Sequence, residues 1–183
     1  AVAELGFDGV ELAGFYGLSA HEVKAMLEKA GLRAASSHVP LKTIQADPDA
    51  AIAFHKELGC PFIAVPFLDE QDRPGRPGFP RVIADLVRFG QKCKEAGIRL
   101  LYHNHEFEFV KLSGVYGLDF LYQAVPEELL AAEMDTCWIK YAGVDPITYL
   151  LSYKGRTPLV HLKDYVEEGS SRTPYTLLAE GET

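Results

Sequence analysis

A repeated unit organises the chain. A polar, helix-compatible stretch ends on Gly, and a short apolar run follows. The copies read AELG-FDGVEL at Gly6, EKAG-LRAASSHV at Gly31, KELG-CPFIAVPF at Gly59 and KEAG-IRLLYHNH at Gly97, with a looser YKGR-TPLVHLKD at Gly155. Gly suits the left-handed position that ends a helix. Short runs rich in Val, Ile and Leu mark strands buried on both faces, as in a parallel sheet. The pattern predicts six strands: Gly9–Leu12, Arg33–His38, Phe62–Phe67, Ile98–His103, Leu130–Asp135 and Leu159–Lys163.

Helices fit between them. Ser19 to Ala30 opens on Ser19 with Glu22 three residues later, a capping box. Asp47 to Leu58 and Asp145 to Tyr153 each open on Asp followed by Pro, the chemistry of an N-cap and a first helical residue. Pro80 to Ala96 is a long amphipathic segment, and Leu118 to Ala124 is a further candidate. Leu68 to Phe79, rich in Asp, Pro and Gly, reads as a loop. Strands and helices alternating at this spacing give an α/β fold, either an open doubly wound sheet or a closed β/α barrel. No GxGxxG follows the first strand, and polar residues end many different strands, so a barrel fits better.

Length and charge narrow this picture. The 183 residues suffice for one domain but fall below the roughly 250 of a whole eight-fold barrel. The expected unit is therefore one TIM-barrel domain over residues 1–183, incomplete at both ends. A formal net charge of −8, without a Lys/Arg run, argues against a nucleic-acid partner. No apolar stretch is long enough to span a bilayer. Cys60, Cys93 and Cys137 are widely spaced and odd in number, which fits buried thiols in a reducing, cytoplasmic setting. Homo-oligomers are compatible with all of this.

In a β/α barrel the active site lies at the C-terminal strand ends. The first strand supplies Glu11 there. The second supplies Ser36, Ser37 and His38, and the fourth His103, Asn104 and His105, with Glu106 and Glu108 behind. The fifth offers Glu133 and Asp135, followed by Trp138 and Lys140, and the sixth His161, Lys163 and Asp164. The third, ending AVPFL, is bland. Four of the six His residues sit at these ends. His21 and His55 lie in helices and read as solvated or packed side chains. One strand-end His is most often structural; four with an Asp suggest a metal or catalytic centre. Imidazole nitrogen and carboxylate oxygen together suit Mn, Co, Zn or Fe. Such an ion can polarise a sugar carbonyl while the neighbouring C–H loses its proton to a nearby carboxylate or His.

The segments GFDGVELAGFYG, SSHVPL, LLYHNHEFEF, EMDTCWIKYAGVDPITYL and GRTPLVHLKDY run nearly the whole length. In this order they resemble the sugar phosphate isomerase/epimerase group of the xylose isomerase-like TIM barrels, which also takes in inosose dehydratases and, more distantly, endonuclease IV-type repair enzymes. The resemblance implies a metal-dependent isomerase or epimerase working on a sugar or keto-sugar through an enediolate-type intermediate. A dehydratase or hydrolase of keto-sugars or keto-inositols is the alternative, ahead of a repair endonuclease or a non-catalytic sugar-binding barrel. It implies a divalent ion (Mn, Co, Zn, Mg or Fe) held by Asp135 from barrel strand six and His161 from strand seven. His103 stands where many of these epimerases have a strand-five Glu. The usual strand-eight Glu has no counterpart, which makes the six strands barrel strands two to seven. The resemblance further implies catalytic roles for Glu108, His105 and Lys163, and substrate contacts from Glu11, His38, Trp138 and Lys140.

Overall fold

The computed structural model of the chain describes residues 2–168 and 171–176. Its strands are β1 (Gly9–Leu12), β2 (Arg33–His38), β3 (Phe62–Val65), β4 (Arg99–His103), β5 (Lys111–Leu112), β6 (Val115–Tyr116), β7 (Ala131–Asp135), β8 (Leu159–His161), β9 (Asp164–Glu168) and β10 (Ser171–Thr176). Its helices are α1 (Ala20–Lys29), α2 (Leu41–Ala46), α3 (Pro48–Leu58), α4 (Phe79–Ala96), α5 (Gly117–Ala124), α6 (Thr136–Tyr141) and α7 (Pro146–Ser152). The six expected strands form one sheet in the order β1-β2-β3-β4-β7-β8, and every neighbouring pair is parallel. The sheet curls as an arc of a β/α barrel, with helices on its convex side.

The expected punctuation is present. All five glycines of the repeated unit have φ between 71° and 91°. Ser19 and Glu22 form a reciprocal capping box, and Asp47 and Asp145 cap α3 and α7. Strand ends differ slightly from the sequence pattern. β3 stops at Val65 because Pro66, next in line, has no N–H for the ladder. β8 stops at His161, so Lys163 lies beyond the strand. Two helices were not anticipated. α2 has no side-chain cap, and α6 starts directly on the last residue of β7. The small β5–β6 hairpin turns through Ser113 and Gly114, both at positive φ, a Ser-Gly turn signal.

Strand parity separates two environments. On β4 and β7, Leu100, Tyr102, Ala132 and Met134 face the helices and join the main core with Val82, Leu86 and Phe89 of α4. Leu101, Ala131 and Ala64 of β3 form a separate inner cluster. A period of two therefore sends His103, Glu133 and Asp135 inward, above that inner apolar layer. α4 lies so close to the chain before β7 that a Cβ on Gly90 would stand 2.4 Å from the Leu129 carbonyl oxygen.

Arg156 locks β7 in place. Its guanidinium donates to the carbonyls of Leu130, Tyr122 and Val125 at 3.0, 2.7 and 2.6 Å and lies 4.8 Å from the Tyr122 ring centroid. Lysine keeps the charge but not the planar fork. Arg156→Lys is expected to cost about 2 kcal/mol, within the range for hydrogen bonds to a charged group, measured by urea unfolding; a cost below about 0.5 kcal/mol, the level of an ordinary surface substitution, would contradict this role.

Candidate metal centre at the strand ends

The register brings the inward polar residues together. Asp135 is the partner of His161 across β7–β8, and Glu133 is the partner of His103 across β4–β7. Asp135 follows Glu133 on the same face, one pleat further out. Its Oδ2 lies 3.2 Å from His103 Nε2, 3.5 Å from His161 Nδ1 and 2.5 Å from Lys163 Nζ. His103, Asp135 and His161 each offer a donor atom, and these atoms lie within 4.8 Å of one another. Curling then carries the first strand to the last: Glu11 Oε2 reaches His161 Nε2 at 2.7 Å. His38 Nε2 lies 2.7 Å from Glu133 Oε2 and 3.2 Å from Glu11 Oε2. The His38, His103 and His161 rings lie 4.8 to 5.5 Å apart between centroids.

The surroundings of Asp135 fix its position. Its other oxygen, Oδ1, accepts the Trp138 N–H as the cap of α6. The Asn104 side chain grips the same residue from behind, accepting the Asp135 N–H at 2.9 Å and donating to its carbonyl at 3.4 Å. Thr136 Oγ1 donates to the His161 carbonyl at 3.1 Å. His103 Nδ1 is 3.2 Å from the Pro66 carbonyl, so the residue just past β3 supplies the acceptor that orients this ring.

Burial and pairing compete in setting the charges. Burial alone would raise Asp135, but hydrogen bonds from His103, His161 and Lys163 outweigh it and hold the carboxyl well below the usual range. Glu11 is likewise driven down, with burial outweighed by hydrogen bonds that include those to His161 and Ser36. Burial would lower His161, but hydrogen bonds to Asp135 and Glu11 lift it to about 10. Glu133 goes the other way, raised chiefly by burial.

The remaining expected residues divide. His105 lies against the centre, its ring 4.9 Å from that of His103, within a wall of Phe67, Phe107 and Trp138. Burial pushes it down to about 3, which keeps it neutral. Lys163 Nζ is 5.9 Å from the Trp138 ring centroid. Glu108 does not reach the cluster. It accepts from the Tyr102 hydroxyl at 2.5 Å and the His105 N–H at 2.8 Å, on the helix side where Tyr102 points. Glu108, expected as a proton carrier, lies on the Tyr102 side because Tyr102 and His103 alternate across the sheet. Lys140 sits half-buried in the last turn of α6. Glu133 and Asn104 were visible at strand ends in the sequence but had no role assigned. A cavity of about 600 Å³ opens nearby, lined by Arg73, Glu106, Phe107 and Tyr141, and does not include the cluster itself. Among the described residues, no helix is long and apolar enough to cross a membrane.

Comparison with known proteins adds a frame. A family model described as xylose isomerase-like TIM barrel matches residues 1–181. An inosose dehydratase of Clostridium beijerinckii is 29% identical over 187 aligned residues, covering 90% of this chain and 62% of that protein. The chain thus spans about three fifths of the length of that curated relative. A crystal structure of a sugar phosphate isomerase/epimerase from Parabacteroides distasonis superposes with a TM-score of 0.79 at 24% identity, covering 93% of this chain and 69% of the other. A xylose isomerase-like TIM barrel protein from Mycobacterium smegmatis, solved in complex with magnesium, gives 0.73 at 16% identity, covering 99% and 72%. At these identities the two structures speak to the fold.

Burial lifts the Glu108 carboxyl from 4.5 to about 8. The folded protein then keeps a proton that the unfolded chain releases. The contribution is fully present below the ordinary value of 4.5 and is lost as pH rises through about 8. Unfolding free energy is expected to fall across that window with a slope of about one proton, and Glu108→Gln to flatten it. Equal slopes for both proteins in urea titrations at several pH values would contradict the assignment.

Proposed function

The chain belongs to the xylose isomerase-like TIM barrel family, and on that premise we propose that it carries the centre of a metal-dependent isomerase or epimerase acting on a sugar or keto-sugar. One observation carries the metal. His103 Nδ1 lies 3.2 Å from the Pro66 carbonyl, which orients the ring so that Nε2 meets the Asp135 carboxylate at 3.2 Å. This facing nitrogen and oxygen are the first two donors for a cation. His161 and the strand-end geometry supply a third donor for a cation. The nitrogen and oxygen donor set fits Mn, Co, Zn or Fe, and also Mg where waters complete the shell.

A bound divalent ion would polarise the substrate carbonyl and ease loss of the proton from the neighbouring carbon. The chain's own side chains do the rest. Lys163, between Asp135 and the Trp138 face, is placed to hold the oxygen that gains charge. Trp138 offers an apolar wall to one sugar face, and Glu11 and His38 face the same space with hydrogen-bonding groups. Proton transfer falls to His105, a neutral ring whose buried Nδ1 has no hydrogen-bond partner among the described residues. Glu108 positions that ring by accepting its backbone N–H. Lys140, in the last turn of α6, is assigned to the rim of the substrate site. The similarity to inosose dehydratases supports a second reading, loss of water next to a ketone on the same site. The net charge of −8 favours a small-molecule partner over nucleic acid. Free, buried Cys60, Cys93 and Cys137 support a reducing, cytoplasmic setting.

The test is turnover of the ion-loaded protein on keto-sugars and inosose in deuterated water. An isomerase or epimerase returns deuterium in recovered substrate and product, and a dehydratase yields a product lighter by one water. Asp135→Asn keeps the helix cap and should lower ion affinity and turnover together. The expected loss is at least about 100-fold, the upper end of what outer-shell changes cost in metal sites. Unchanged affinity and rate would remove the metal reading.

A further inference from the structure

On the reading of the site as one for keto-sugars, we propose that the cavity beside the centre binds a second, uncharged sugar unit. The substrate class is then a keto-sugar carrying a glycosidic substituent, not a free monosaccharide. The cavity holds about 600 Å³, inside the roughly 300–1,000 Å³ of small-molecule sites. Its walls come from the loop after β3, the segment after β4, the β5–β6 hairpin and the end of α6. It starts one side chain out from the residues proposed for the chemistry. Phe107 lines it and stacks on the His105 ring at 5.5 Å, with the two planes 6° apart. Tyr141 lines it and meets the Trp138 ring at 5.6 Å. His105 in turn stands 4.9 Å from the His103 ring, and Trp138 5.9 Å from Lys163 Nζ. A monosaccharide at the strand ends would leave the cavity to solvent, whereas a glycosidic partner would fill it.

The cavity is preformed. Pro74 packs so tightly on the start of α5 that a Cβ on Gly117 would stand 2.3 Å from Pro74 Cβ. Gly75 holds a φ of 81° against the Leu112 side chain. Arg73 Nε donates to the Leu68 carbonyl at 3.2 Å, and its guanidinium carbon lies 3.9 Å from the Phe107 ring centroid. Its two terminal nitrogens have no hydrogen-bond acceptor among the described residues. A planar cation fixed on an aromatic ring, with its outer donors unspent, needs little ordering to meet a ligand oxygen.

The balance of charge favours an uncharged ligand. Arg73, Arg76, Glu70 and Glu106 line the same cavity, and Arg76 is already paired with Glu70 at 3.2 Å. A phosphate or carboxylate is held by a surplus of cations, and two arginines beside two carboxylates leave none. A sugar needs both kinds of partner, because each hydroxyl donates and accepts. Guanidinium donors and carboxylate acceptors supply both, and Phe107 and Tyr141 add apolar surface for the ring carbons.

The experiment is calorimetry on the Mn²⁺-loaded protein with fructose, with the glucosyl-fructoses isomaltulose and turanose, which keep the keto group, and with fructose carrying a phosphate ester. Binding is read whichever reaction follows, isomerisation or dehydration. At least one disaccharide should bind about 10-fold tighter than fructose, the gain of one or two net hydrogen bonds, and the phosphate ester should gain nothing. Arg73→Met and Glu106→Ala should each cut that preference to about 3-fold or less, with fructose affinity unchanged. Glu106 is half-buried, so its variant keeps the test standing if Arg73→Met fails to fold. Equal binding of fructose and both disaccharides would overturn the subsite and leave the keto-sugar reading intact. A disaccharide preference that survives both variants would put the second unit elsewhere and overturn it too. Tighter binding of the phosphate ester, lost in Arg73→Met, would make the cavity an anion site instead. Binding of none of the four would overturn the keto-sugar reading and the subsite with it.

Discussion

The Asp135 carboxylate is the joint on which the rest of the centre turns. One oxygen caps α6 through the Trp138 N–H, and the other meets His103, His161 and Lys163. The helix start is thus tied to the chemistry. Moving the carboxylate by one rotamer would uncap α6 and release Lys163 together. Asn104 holds the backbone of the same residue at both its N–H and its carbonyl. This is preorganisation in a literal sense, because the side chain is buried at 0% exposure and every group around it is itself held. Burial disfavours its charge, and three polar partners outweigh that cost.

The curl of the sheet supplies what no single β/α unit can. Glu11 and His161 are 150 residues apart in sequence and 2.7 Å apart in space, although β1 and β8 are opposite edges of the sheet. Parallel strands all end on the same side, so each contributes its last inward residue to one floor. Below that floor lie Leu101, Ala131 and Ala64, a fully buried apolar layer. Alternation across the pleat sends Tyr102 to the helices and His103 to the centre. That parity explains why Glu108, bound to the Tyr102 hydroxyl, serves the loop and not the cluster.

Much of this was legible in the chain. The glycine that closes each helix marks where the next strand begins, and the six strands follow from it because the left-handed conformation has few other occupants. The convergence of His103, Asp135 and His161 was legible once those strands were set parallel. What escaped is equally physical. Glu108 and His105 lie on one short loop, and only the parity of the preceding strand tells which of them faces inward. α2 has no capping side chain to announce it, and α6 hides its cap inside a residue that also reads as a ligand. Pro66 contributes through a backbone carbonyl, and carbonyls are the same at every residue. Glu133 was visible at a strand end, but its contact with His38 is a fact of packing.

The central claim is that a cation, not a proton, belongs between His103 Nε2 and the Asp135 carboxylate. Anomalous diffraction at the manganese edge from crystals grown with Mn²⁺ addresses it most directly. The account predicts a peak within about 2.0–2.3 Å, an ordinary metal–ligand distance, of His103 Nε2, Asp135 Oδ2 and a His161 ring nitrogen. A map with no peak there, and with His103 and Asp135 still in direct contact, would contradict it.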